Sequence, residues 1–342
     1  MELKKSLIIA LSLFVIGLIT WEFYWRSKGF YPTIDDNEAL WAVQRARVKN
    51  LGSGDVILLG SSRVLFDIQL DEWEEVTGKR PLQLATAGAT PLPAFRDLVE
   101  NTSFKGTVIV GVTPGLFFST TSPMAGPWNS IQERIDYFEN RTYAQNSNHF
   151  LSLPLQKYFA FISDVEGVDG INLKQLLKKI SIGERTGPGM PPFHEFSDIT
   201  VDRNTKMTEK TVTDTAFANT VKTVWQFFGK EAKPPEKEAT IAFFLEDALK
   251  FKARGGNLIL LRCPSTGYYE EVEAKYLPRN EFWDELLKQT GARGYHYMDY
   301  EQLNHFDCPE WSHLSAPDAA LFTKSLTKIM IQDGVLNNSK SN

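Results

Sequence analysis

Apolar residues along this chain fall into three kinds of run, and each predicts a different element. The first is continuous. Residues Ser6 to Trp25 read SLIIALSLFVIGLITWEFYW, with a single charge at Glu22. Crossing the hydrocarbon core of a bilayer takes roughly 17–25 apolar residues as a helix, so the run is long enough to span. Trp21, Phe23, Tyr24 and Trp25 would form an aromatic belt at its end. A cleaved signal peptide has a shorter apolar region, about 7–15 residues, closed by an A-x-A-like site. No such site precedes Trp21, which favours an uncleaved anchor. Lys4 and Lys5 before the run are nearly balanced by Arg26 and Lys28 after it, so charge bias sets no orientation. The short segment ahead of the run and the large body behind it predict a cytoplasmic N-terminus over 1–5, an anchor over 6–25 and a body outside the cytoplasm.

The second kind is short and solidly apolar: Val56–Leu59, Leu82–Ala85, Thr107–Val112 and Asn257–Arg262, with a weaker run at Gly294–Met298. The third has helical spacing and lies between them, at Leu70–Thr77, Pro93–Val99, Thr240–Ala253, Glu281–Gln289 and Ala316–Ile331. Strands alternating with helices predict a parallel sheet covered on both faces. Asp35-Asp36 followed by Glu38–Val48 reads as a capped helix leading from the membrane linker. Between 118 and 235 the rhythm breaks. Turn-rich clusters such as Thr186-Gly-Pro-Gly-Met-Pro-Pro192 alternate there with amphipathic pieces at Leu173–Ile180 and Ala216–Phe228. The expected division is therefore a linker and helix over 26–49, a core in two parts over 50–117 and 236–332, an insertion over 118–235, and a disordered polar tail over 333–342.

Composition narrows the partners. A net charge of −5 gives no basic face for nucleic acid. Eight Trp and 23 Phe would suit grooves that face sugars, or simply a packed core and a membrane belt. No cluster of metal ligands, phosphate-binding glycine loop or nucleotide fingerprint is present, so neither metal nor cofactor is expected. Two cysteines, Cys263 and Cys308, cannot make a disulfide framework. They either pair in an oxidising compartment or stay as buried thiols.

Two motifs about 250 residues apart carry the chemistry. Asp55-Val-Ile-Leu-Leu-Gly-Ser-Ser62-Arg63 reads as a buried strand ending in a turn with a hydroxyl at its tip. Asp307-Cys-Pro-Glu310-Trp-Ser-His313-Leu314 supplies a histidine with carboxylates just upstream. A serine becomes nucleophilic when a base takes its proton and a third group orients that base. Ser62 at a strand's carboxyl end would be presented where open α/β sheets bind ligands. Taken singly, Ser62 could be a helix N-cap and His313 a loop histidine. His149, His194, His296 and His305 have no comparable setting, although His305 is close enough to compete.

The Gly-Ser-Ser62 block near the start and the x-x-His313-Leu block near the end resemble the SGNH (GDSL-type) hydrolase superfamily. That resemblance covers roughly 55–116 and 240–331, leaving the insertion outside. It implies a three-layer α/β/α flavodoxin-like sheet in strand order 2-1-3-4-5. It makes Ser62 the nucleophile, His313 the base and Glu310 the acid, with Asp307 as the alternative acid because the family has Asp where Glu310 stands. Ser62 and Gly88 amides would form the oxyanion hole. The family's asparagine donor is absent, and the strand ends Val110-Gly-Val-Thr113-Pro114 instead. Either Thr113 or another group replaces it, or the site is slow towards water, or it is inactive. Arg262 and Arg63 would clamp an anionic substrate group or pair with a buried carboxylate of the fold.

With the anchor, the chain is similar to membrane-bound branches of the superfamily that acylate cell-envelope polymers, the D-alanyl-transfer protein of teichoic acid and the alginate O-acetylation proteins. The implied activity is serine acyl transfer or esterase action on O-acyl groups, chiefly O-acetyl, of a polysaccharide in the periplasm or envelope. The implied partners are the polysaccharide acceptor and a multi-pass membrane O-acyltransferase. The competing expectation is an inactive scaffold of the same fold that binds glycan or recruits that acyltransferase. The insertion is expected to wall the cleft above Ser62.

Overall fold

A computed structural model describes residues 2–119, 126–162, 191, 193–231 and 233–336. The amphipathic piece at 173–180, all but Pro191 of the turn-rich run at 186–192, and the tail from 337 lie outside the described residues. The chain divides into two compact units, residues 1–35 with 143–195, and 36–142 with 196–342. The insertion is thus shared. Its middle clusters with the apolar N-terminal helix, and its two ends cluster with the sheet.

The first unit is led by α1 (Glu2–Ser27), about 39 Å long at 1.5 Å per residue. Within Leu3–Ser27 an 18-residue window has mean hydropathy 2.1 and no buried residue, so the helix is long and apolar enough to cross a membrane. The acidic residue inside its apolar run is satisfied within the same unit. Glu22 pairs with Arg26 at 2.6 Å and accepts from the backbone N–H groups of Ala160 and Phe161. Those two amides open a short 3₁₀ turn, Ala160–Ile162, that follows α8 (Tyr143–Tyr158).

The second unit begins with α2 (Glu38–Arg47), capped by the Asn37 side chain on Ala39 and Leu40 N–H. Chain order then runs β1 (Val56–Leu59), α3 (Ser62–Asp67), α4 (Leu70–Thr77), β2 (Leu82–Gln83), α5 (Leu92–Asn101), β3 (Thr107–Gly111), α6 (Pro114–Phe117) and α7 (Gly126–Asn140). After α8 come β4 (Ser197–Ile199), β5 (Thr205–Met207), α9 (Glu209–Thr213) and α10 (Thr215–Glu231). The unit closes with α11 (Lys237–Ala253), β6 (Asn257–Arg262), α12 (Gly267–Tyr276), α13 (Arg279–Thr290), β7 (Arg293–His296) and α14 (Ala316–Gln332).

All five strands of the main sheet are parallel, in the order β2-β1-β3-β6-β7. The alternation of apolar runs and helices predicts the parallel sheet, and the 2-1-3-4-5 order is the one the resemblance implies. Strands β1, β3 and β6 are buried on both sides, as expected of a parallel sheet covered by helices. Strand β2 is shorter than its apolar run because side chains take its later carbonyls. Trp41 Nε1 donates to Leu84 O, and Arg203 Nη2 donates to Ala85 O. Arg203 sits in the turn of the β4–β5 hairpin, fully buried, and also pairs with Asp36 at 2.7 Å. It is the element that fastens the returning end of the insertion to the edge of the sheet.

Candidate active site

Position 62 is set by two glycines. A Cβ on Gly60, after β1, would lie 2.6 Å from Val64 Cγ2, and one on Gly111, ending β3, would lie 2.1 Å from the same atom. Only without those Cβ atoms does Val64 seat against both strand ends, which brings the first turn of α3 onto the carboxyl edge of the sheet. Ser61 is the N-cap residue of α3 but its side chain does not cap it. Its hydroxyl instead shares a 2.6 Å hydrogen bond with Thr113. Ser61 is buried and engaged, whereas Ser62, the first helical residue, is partly exposed.

The histidine segment is built around a buried carboxylate. Glu310 Oε1 accepts from His313 Nδ1 at 2.9 Å, from His313 N at 2.6 Å and from Ser312 N at 3.2 Å. Oε2 accepts from Trp225 Nε1 on α10. Burial alone would push this carboxyl up. Attraction to His313 and the hydrogen bonds from His313 and Trp225 outweigh it and hold the group below its ordinary range. Between acid and base lies Trp311 at φ +79°, a conformation that costs a bulky residue about 1–3 kcal/mol. Bonds on both sides hold it there, Trp311 N to Cys308 O at 2.8 Å and Thr266 N to Trp311 O at 3.0 Å.

This segment is tied to α3 at three successive residues. Arg63 Nε reaches Ser312 Oγ at 3.3 Å, the His313 ring packs on Phe66 with centroids 4.4 Å apart, and Leu314 N donates to Asp67 Oδ1 at 3.0 Å. Phe66 is four residues after Ser62, so both side chains lie on one face of the helix. His313 is therefore stacked one turn along the face that carries Ser62. Nδ1–H is fixed by Glu310, which leaves Nε2 as the basic atom, and among the described residues Nε2 has no hydrogen-bond partner.

The remaining candidates divide. Gly88 adopts φ +67° in an exposed turn with open space where a side chain would be. The loop carrying it is joined to the strand end by Thr86 N to Gly60 O at 2.9 Å. Thr113 is bonded to Ser61, so Gly88, Thr113 and Ser62 gather at adjoining strand ends. Asp307 is exposed and lines a separate pocket of about 320 Å³ with Lys222 and Asp318. The carboxylate on His313 is that of Glu310.

Of the two readings of the arginines, the structure shows the ion pair. Arg63 Nη2 lies 2.9 Å from Glu273 Oε1, and Arg262 Nη2 bonds Glu273 Oε2. All three are buried, and Ser265 completes the cluster. Neither guanidinium is presented as an open anion clamp. Cys263 and Cys308 are both buried and unpaired with each other, so the disulfide idea is withdrawn. Burial raises both thiols well above their ordinary range. Among the other histidines, burial and the charge of Arg262 lower His296 to about 3. His305 is exposed, bonded to Glu301 O.

Sequence reasoning missed Trp225, Phe196, Glu273 and Asp67. Phe196 packs between Phe66 and Trp225 and beside the His313 ring. Asp67 is buried, and its carboxyl is raised well above the usual range by burial. None of these residues sits at a spacing that marks it. Among the described residues no group of His, Cys, Asp and Glu is arranged to hold a metal ion. A scan against protein-family models finds no match, and a search of the curated proteins finds none.

Proposed function

We propose that this protein is a membrane-anchored serine acyl-transfer enzyme of the SGNH type, acting on O-acyl groups of an envelope polysaccharide outside the cytoplasm. One observation carries the reading: a buried Glu310–His313 pair leaves Nε2 without a hydrogen-bond partner among the described residues and packs the imidazole on Phe66, one turn along α3 from Ser62. In the first half-reaction Ser62 Oγ attacks the acyl carbonyl while His313 Nε2 takes its proton. Glu310 stabilises the resulting imidazolium through Nδ1–H. The oxyanion is held by the Ser62 and Gly88 amides, with Thr113 at the position of the missing asparagine. Collapse breaks the ester bond, and the leaving oxygen takes the proton from Nε2. An acceptor hydroxyl, or water in the esterase case, then gives a proton to Nε2 and attacks the acyl-serine, which frees Ser62.

The α1 helix supports anchoring, and Trp225 and Phe196 support a role for the ends of the insertion in forming the site. A multi-pass O-acyltransferase partner follows from the resemblance alone. The scaffold alternative rests on position 113, where the only side-chain donor is a threonine hydroxyl already engaged with Ser61. The two readings separate on Ser62→Ala in the full-length protein assayed with a p-nitrophenyl ester. The enzyme reading predicts loss of turnover to the level of buffer with an unchanged melting curve. Turnover equal to that of the unaltered protein contradicts it.

A further inference from the structure

Helix α8 is built inside out. Its buried face presents polar residues at helical spacing, His149, Ser152 and Gln156, with only Leu153 apolar beside them. Gln156 accepts from Asp35 N at 3.2 Å and donates to Ser152 Oγ, which in turn donates to His149 O. The opposite face is apolar and open: Phe150 is 60% exposed, Leu151 71%, Leu155 44% and Tyr158 62%. A helix on a water-soluble body shows the reverse arrangement, with the apolar stripe inward. Polar groups turned inward and apolar ones outward suit an apolar solvent.

The end of the helix shows which solvent that is. Tyr158 O accepts from Arg26 Nη2 at 3.1 Å, and Glu22 holds the amides of Ala160 and Phe161. Both holding residues belong to the last turns of α1, where Trp21, Tyr24 and Trp25 cluster. Aromatic rings at the end of an apolar span mark the depth of the lipid headgroups. The carboxyl end of α8 is therefore pinned at that depth within one compact unit. Exposed Lys157 flanks the apolar face, where it would meet headgroup phosphates.

We propose that α8 lies in the bilayer interface as a second membrane attachment, with Phe150, Leu151, Leu155 and Tyr158 among the acyl chains. The proposal rests on α1 being a membrane span and on nothing in the chemistry of Ser62. The test uses the full chain in phosphatidylcholine–phosphatidylglycerol vesicles, with the environment-sensitive NBD fluorophore on Leu151→Cys or, separately, on Leu13→Cys in α1. The native cysteines are buried, which directs the label to the new one. A headgroup-proximal doxyl lipid should quench the Leu151→Cys label about twofold, as expected for burial some 5–10 Å into the interface, and more strongly than a mid-chain doxyl lipid. The Leu13→Cys label should show the opposite order. Phe150→Cys, on the same face, repeats the measurement should Leu151→Cys fail to fold. Quenching at Leu13 with iodide quenching and no lipid quenching at Leu151 overturns the α8 assignment alone. A Leu151 label shielded from both lipid and iodide means that protein covers the face, which also overturns it. Absence of lipid quenching at both positions removes the span itself, and the proposal with it.

Discussion

Replacing Glu310 by Gln tests the electrostatic design of the site, and its outcome follows from the count of donors. Oε1 receives three N–H groups and Oε2 receives the Trp225 indole. A glutamine must turn its NH₂ to one side. Towards Oε1 it would face three donors, towards Oε2 only one, so the amide nitrogen should face Trp225 and the carbonyl should stay on His313 Nδ1–H. The tautomer is then kept, and the rate loss comes from the missing negative charge opposite the imidazolium. We expect turnover to fall about 10²–10³-fold, less than the about 10⁴-fold that accompanies a wrong tautomer. Stability should fall by about 1–3 kcal/mol, because two buried donors now face each other. Trp225→Phe alone should cost a similar amount by leaving a charged oxygen without its donor. The double variant removes the conflict, so its loss should be smaller than the sum by at least about 1 kcal/mol. Urea melts of the four proteins measure this coupling. Additivity within about 0.5 kcal/mol would refute the donor count.

Two further predictions concern the scaffold beneath the site. Gly111→Ala should lower stability by about 1–3 kcal/mol and depress turnover, because the new Cβ meets Val64 Cγ2 at 2.1 Å and displaces α3. Val64→Ala added to it should restore part of both, and a double variant no better than Gly111→Ala would argue against that contact. Asp67, whose folded-state carboxyl is raised by burial, binds a proton in the native state that the unfolded chain releases above the ordinary carboxylate range. Native stability should therefore decline with rising pH through this group. Asp67→Asn keeps the acceptor for Leu314 N and removes the titration, so its stability relative to the native protein should rise from pH 5 to pH 8 in urea melts. A relative stability that stays constant or falls over that range contradicts a neutral Asp67.

The sheet was legible because fully buried parallel strands need unbroken apolar runs, and Ile57–Leu59, Val108–Gly111 and Leu258–Leu261 are such runs. Helix α12 was not, since its sequence GYYEEVEAKY has no apolar stripe. It buries Glu273 to answer two arginines instead, and so the role of Arg63 and Arg262 stayed open. Glu310 and His313 could be paired from sequence because they lie three positions apart. Trp225 lies 85 residues from Glu310, and no local spacing reports a contact of that range. The β4–β5 hairpin was hidden for a similar reason. Its anchoring residue, Arg203, works through Asp36 and the carbonyls of Gln83 and Ala85, none near in sequence.

The central claim is that Ser62 is a nucleophile served by His313. Its most direct test is treatment of the full-length protein with a fluorophosphonate, followed by intact-mass measurement and peptide mapping. The account predicts one adduct per chain, on Ser62, lost in His313→Ala and unaffected by altering Ser61 to Ala. No adduct on the folded protein, or one carried by another residue, would contradict it.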